Sequence, residues 1–237
     1  YSSTELAASF EDSANHTAHT VTANGDAHTD TTVKKIGTAS AQFDGTGDYL
    51  TVPDSSDWDI LGTDFTIECW VNPNSVRGAG TPATTWDYSF AQHFEDASNR
   101  WVFAHGWNGD SGNPTTGVYF GVLSGGSWLV EPTVPTGNAG EFTTTDWHHC
   151  AVTGTAAGVY SIFLDGVLVN TTSDPGSDDF TGLLYIGQRG NGNDEMNGYL
   201  DEIRISKGIA RFTGDFTPET SAYTADEYTA LLLHMDG

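Results

Sequence analysis

The sequence predicts an all-β chain folded as a two-sheet antiparallel sandwich, and three observations carry this. Helical periodicity is almost absent, short alternating segments recur, and Gly, Asn, Asp or Pro separates them every few residues. Many short antiparallel strands bury their apolar faces by stacking as two sheets.

In chain order the strand segments are "SAQFDG", "YLTVP", "FTIECWVNP", "WVFAHGW", "GVYFGVLSG", "WHHCAVTG", "GVYSIFLDGVLVN", "LLYIG" and "GYLDEIRIS". In "FTIECWV", alternation places Phe65, Ile67, Cys69 and Val71 on one face, with Thr66, Glu68 and Trp70 on the other. "SIFLDGVLVN" reads as a hairpin turning at Asp165-Gly166. Only "GIARF", residues 208–212, suggests a helical turn. Residues 1–216 contain no internal linker and read as one domain, whereas 217–230, "TPETSAYTADEYTA", is polar and lacks alternation, as a linker does. Leu231, Leu232 and Leu233 then form a buried strand that runs into Met-Asp-Gly at 235–237.

Composition narrows the function classes. The 237 residues carry 32 Asp plus Glu against 8 Lys plus Arg, a formal charge of −24. Nucleic acid and anionic membrane are therefore poor partners, because phosphate binding needs clustered Lys and Arg. The carboxylate excess suits divalent cations and solubility in a salty medium. No apolar run approaches the roughly 20 residues of a spanning helix, so membrane insertion is not expected. No signal peptide is visible either, so a targeting segment is expected to be removed or to lie outside this sequence.

"FDGTGDYLTVPDSSDWDILGTDFTIECWVNP", "DWHHCAVTGTAAGVYSIFLDGVLVN" and "GYLDEIRISKGIARFTGDFTPET", in that order and spacing, resemble the laminin G-like, concanavalin A-like domains. The resemblance covers residues 1 to about 220 and is strongest to the tandem versions in tail-fibre and surface proteins of aquatic phages and bacteria. It implies a jelly-roll sandwich of two curved sheets, an extracellular setting, and use in glycan binding or fibre building. In the tandem relatives a "LLLHxDG" strand opens each repeat, so residues 231–237 resemble the first strand of a repeat. That strand is expected to complete its own sandwich, that of a neighbouring copy, or the next unit of an array.

Further expectations follow from the same resemblance. Pentraxins, which share the sandwich, carry a disulfide where Cys69 and Cys150 stand here, implying a bridge and an oxidising compartment. Closing a loop of roughly 80 residues is worth about 4 kcal/mol in the chain-entropy model; two buried free thiols are the alternative. Laminin G-like relatives often hold a structural calcium between the first loop and the last strand. Asp12 and Asn15 in "FEDSANH", with Asp201 and Glu202 in "GYLDEIRIS", are the matching oxygen donors. Asp201 and Glu202 point to opposite faces of a regular strand, so only one serves as a ligand unless a bulge intervenes. Asp44 and Asp48 in "FDGTGDYL" offer a second calcium position, although a hairpin turn is the simpler reading. In "IGQRGNGNDEMNG", Gln188 matches the pentraxin calcium loop, but Arg189 and Gly190 replace its acids, leaving Asn193, Asp194 and Glu195 as stand-ins. The eight histidines show no HxH or HExxH spacing, so zinc is not expected, and His148-His149 reads as structural.

For ligand binding the richest stretch is 77–114, where Trp86, Tyr88, Trp107, Asn108, Asp110 and Asn113 combine aromatic platforms with hydrogen-bonding groups. Packing in the core is the alternative for the tryptophans. Catalysis is not expected. The laminarinase-type glycosidases of this fold use acids spaced along one strand face, and the nearest approach here is the adjacent pair Asp201-Glu202, a remote glycoside hydrolase alternative. "NHT" at Asn15 and "NTT" at Asn170 fit the N-glycosylation pattern. Together these readings make the chain a non-enzymatic extracellular module of a fibre or adhesin that binds a glycan or cell surface, or a filament subunit joining copies of itself.

Overall fold

The computed structural model of the chain describes residues 9–76, 88–108, 115–130, 140–174, 176 and 178–237, with the side chains of 107, 108, 115 and 116 excepted. Its strands in chain order are β1 (Thr22–Asn24), β2 (His28–Asp30), β3 (Ser40–Asp44), β4 (Tyr49–Val52), β5 (Phe65–Pro73), β6 (Tyr88–Asp96), β7 (Asn99–Asn108) and β8 (Thr115–Ser124). They continue with β9 (Ser127–Val130), β10 (His148–Gly154), β11 (Val159–Leu164), β12 (Val167–Ser173), β13 (Leu183–Ile186), β14 (Asn197–Lys207) and β15 (Thr229–Leu233). One sheet runs β1-β4-β13-β6-β7-β8-β9, and the other β12-β11-β10-β5-β14-β3-β2 with β15 also paired to β14. Two antiparallel sheets stacked on a shared core form the expected sandwich.

The alternation of "FTIECWV" survives intact. Phe65, Ile67, Cys69 and Val71 lie in the main core with Phe43, Trp101, Phe103, Phe120 and Tyr160. Trp70 faces the other way, into a smaller cluster with Ile36, Tyr223 and Leu232. On that outer face Glu68 accepts Arg204 Nε and Nη2 at 2.9 and 2.7 Å. His149 Nε2 lies 3.3 Å from the Glu68 carboxylate and 2.9 Å from Tyr223 Oη. Burial alone would push Glu68 up, but the bonds from His149 and the Arg204 guanidinium hold it below its ordinary value. His149 is thus structural, as read. The hairpin at Asp165-Gly166 is also as read, with φ of 51° and 79° at the two positions, the left-handed pair of a type I′ turn.

Several expectations need correction. "GIARF" forms no helical turn, because β5 binds its backbone: Thr66 Oγ1 donates to Ile209 O and accepts Arg211 N. Residues 217–230 do not behave as a free linker. Tyr223 is buried against the Arg204 guanidinium, 4.4 Å away, and its N–H donates to Glu202 Oε2. Tyr88 is not an exposed platform: it opens a strand, is 4% exposed, and donates its hydroxyl to Ser75 O.

Candidate functional site

The terminal leucines pair within their own chain. β15 runs antiparallel to β14 with Leu231 opposite Ile205, Leu232 opposite Arg204 and Leu233 opposite Ile203, and all three leucines are buried. On its other side Leu233 bridges to Asp12, and Ser13 N donates to Leu232 O. β15 is thus flanked by β14 on one side and the first loop on the other.

That placement decides the calcium set. The loop carrying Asp12 and Asn15 is separated from Asp201 and Glu202 by a whole strand, so the two groups stand roughly two strand spacings apart, about 9–10 Å. Most of their carboxylate oxygens also hold hydrogen bonds, Asp201 Oδ1 excepted. Asp12 accepts the N–H groups of Ala14, His19 and Leu232, and Asn15 Nδ2 donates to Ala225 O. Asp201 Oδ2 accepts Lys35 N and Ile36 N. Glu202 receives Tyr223 N and His234 Nδ1. A bulge does intervene: the β14–β5 register shifts between Asp201 and Arg204, with Glu202 at φ 49°. It turns both carboxyls toward backbone donors. Among the described residues Asp12, Asp201 and Glu202 are not brought together as one set of ligand atoms in this structure.

Asp26, Asp44 and Asp48 do converge, each with a carboxylate oxygen within 4.8 Å of the others. Asp48 accepts the N–H groups of Asp26 and Asp44, and Asp44 accepts Thr46 N in the turn that the sequence suggested. Glu195 closes the group from the far side, taking Gly47 N and Gln188 Nε2 on one oxygen. Burial, and then the Asp26 side chain and the charge of Asp44, push Asp48 up despite these bonds.

The ligand stretch divides. Trp86, Asp110 and Asn113 lie outside the described residues, and Trp107 and Asn108 end β7. The face of β6, β7 and β8 turned away from the core is lined by Ser89, Gln92, Val102, Ala104 and Tyr119, all buried. The loop after β13 covers it. Ser89 N donates to Asp194 O, Gly190 N to Gln92 Oε1, and the Arg189 guanidinium to Tyr119 Oη while ion-pairing with Asp194. The 187–196 segment that resembles a calcium loop therefore acts as a roof, fastened by an arginine where acids were expected.

Cys69 and Cys150, where a bridge was expected, stand as free thiols in this structure. They face each other in register across β5 and β10. Burial raises both thiols well above their ordinary value, so they pack as small apolar groups rather than as nucleophiles. Asp201 and Glu202 are 0% and 1% exposed, sealed from any sugar. Of the two sequon asparagines, Asn15 is exposed and Asn170 half-buried. Among the described residues no helix is long and apolar enough to cross a membrane.

A laminin G-like family model, described as the concanavalin A-like lectin/glucanases superfamily, matches residues 44–210. The chain belongs to this superfamily. No curated protein sequence matches it. Among solved structures, the receptor-binding domain of botulinum neurotoxin C/D mosaic serotype is 12% identical at a TM-score of 0.53, over 84% of this chain and 44% of that one. A botulinum neurotoxin type C structure, titled for cell entry dependent on two ganglioside molecules, is 11% identical at 0.54, over 90% and 48%. A neurotoxin DC binding domain in complex with rat synaptotagmin II is 10% identical at 0.54, over 90% and 49%. The lectin-like chain spans a little under half the length of these structures, and at such identities they share its fold.

Proposed function

We propose that this chain is a non-enzymatic binding module of an extracellular fibre or adhesin that engages a glycan or cell surface. One observation carries the reading: Tyr88 opens β6, Asn108 closes β7 and Thr115 opens β8 at one end of one sheet, so the strand ends that flank the Trp-, Asn- and Asp-rich stretch adjoin. A superfamily named for lectins and glucanases supports a carbohydrate ligand. The structural neighbours, receptor-binding domains with gangliosides or synaptotagmin in their titles, support a surface one. The glucanase side of the family is disfavoured by the sealed Asp201-Glu202 pair.

The test is a glycan array followed by titration of the best hit against Trp107→Ala and Asn108→Ala. Loss of about tenfold or more in affinity, roughly 1.4 kcal/mol, is expected for the tryptophan variant. Unchanged binding in both variants removes the assignment. A second reading, a filament subunit donating β15 to a neighbour, is favoured by the strand-free stretch 208–228 between β14 and β15, a connection long enough for domain exchange. Sizing of the purified chain at rising concentration tests it, and monomers throughout defeat it.

A further inference from the structure

Two histidines and an aspartate from distant parts of the chain converge beside β15. His16 and His19 belong to the loop closed by the Glu11–Thr20 bridge, and Asp57 to the 3-10 turn Ser56–Trp58. One ligand atom from each lies within 4.8 Å of the other two. His19 Nε2 is 2.9 Å from Asp57 Oδ2, and the two imidazoles meet edge to face at 5.9 Å.

His19 and Asp57 are held by their surroundings. Asp12 accepts His19 N, and Asn15 ties the loop to Ala225 O. The His19 ring rests on buried Trp58 at 4.7 Å. Ser55 Oγ accepts Asp57 N and fixes the turn. His16 Nδ1 lies 3.2 Å from Thr17 O. A carbonyl only accepts, so Nδ1 carries the proton and Nε2 keeps the lone pair. Metal-binding imidazoles are commonly oriented in this way, by a bond from the other ring nitrogen.

We propose that His16, His19 and Asp57 form a binding site for a divalent transition metal of the zinc type. Two imidazoles and a carboxylate suit such an ion, whereas calcium takes oxygen ligands. Tetrahedral bonds of about 2.0–2.1 Å hold ligand atoms about 3.3–3.4 Å apart, so His19 and Asp57 separate by about 0.4 Å and His16 swings inward. His16 is exposed and free to do so. His16 and Asp57 also line a cleft of about 190 Å³ together with Lys207 and Glu227, which leaves the fourth position open to water. The ion would clamp the loop 11–20, already bonded to β15, onto the turn at 55–59. Spacing within the sequence hides the set, because Asp57 lies 38 residues beyond His19.

The tag-free chain is titrated with zinc chloride by calorimetry and with cobalt(II) by visible absorption. Saturation at one ion per chain is expected, with tetrahedral-type cobalt bands that zinc abolishes and an unfolding midpoint raised by the ion. His16→Ala and Asp57→Asn each weaken zinc at least tenfold. His16→Ala keeps the metal-free midpoint of the parent, which separates lost ligation from lost folding. Asp44→Asn, in the other acidic group, leaves zinc affinity unchanged. The proposal is overturned by absence of one-to-one binding, or by parental affinity in His16→Ala.

Discussion

Asp201 is buried with one oxygen accepting two backbone N–H groups and the other, Oδ1, without a partner. Burial raises its pKa to about 7 despite those bonds, with Glu202 and Asp236 adding repulsion. The folded chain therefore holds a proton that the unfolded chain releases near its ordinary value of about 4. Stability from this group is full below about pH 4 and declines as pH rises through about 7. Asp201→Asn cannot ionise and keeps an acceptor for both N–H groups, so urea midpoints measured from pH 4.5 to 7 should slope less than the parent's. Asp226 acts in the opposite direction. Its bond from Arg211 lowers it to about 2, so its contribution is present above about 4 and lost as pH falls through about 2. Neither shift was visible in the sequence. Asp201 was legible as a candidate ligand but not as a protonated buried acid, and the guanidinium on Asp226 was not legible, since Lys35, Ile36 and Arg211 come from segments 15 to 166 residues away.

At the level of strands, legibility followed regularity. β5 alternates without interruption and its two faces were readable residue by residue. β6 was missed within "YSFAQHFED" because its register to β7 shifts twice, at Ser89/Ala91 and Phe94/Asp96. Each bulge moves the apolar positions off the period of two on which the reading depends. β15 was legible as a strand, but its slot was not, because several pairings of a hydrophobic strand satisfy the same pattern. Its fully buried Leu231 and Leu233 should each lose about 2–5 kcal/mol on replacement by alanine, measured by chemical denaturation. On the outer face, Glu68→Ala strands the buried Arg204 charge and should lose about 3–5 kcal/mol; a loss below about 1 kcal/mol would mean that water reaches Arg204. Gly154 faces the Phe65 ring, where an added Cβ would sit 2.0 Å from Cε1. Gly154→Ala should therefore destabilise by about 1–3 kcal/mol by the same measurement, through forced displacement of that ring.

Over the whole molecule, a formal charge of −24 is spread on a sandwich with few cations to offset it. Raising ionic strength from about 0.01 to 0.15 M shortens the screening length from about 30 to about 8 Å. The thermal midpoint should rise over that range in sodium chloride, and a flat response would show that the carboxylates are already neutralised locally. The fold class was legible because many short strands leave little choice of architecture. The sites were not, because they depend on which loops meet, as when β15 came between the expected calcium donors. That same strand brings Gly237 to within about 4 Å of Ser9, measured from an alanine-like Cβ at Gly237 to the Ser9 carbonyl oxygen. Fusing Gly237 to Ser9 through a brief spacer and reopening the backbone between the exposed Ala156 and Ala157 should yield a rearranged gene product with the parental architecture. Such a product would let probes be attached at the far end of the sandwich without disturbing the Leu-rich seam.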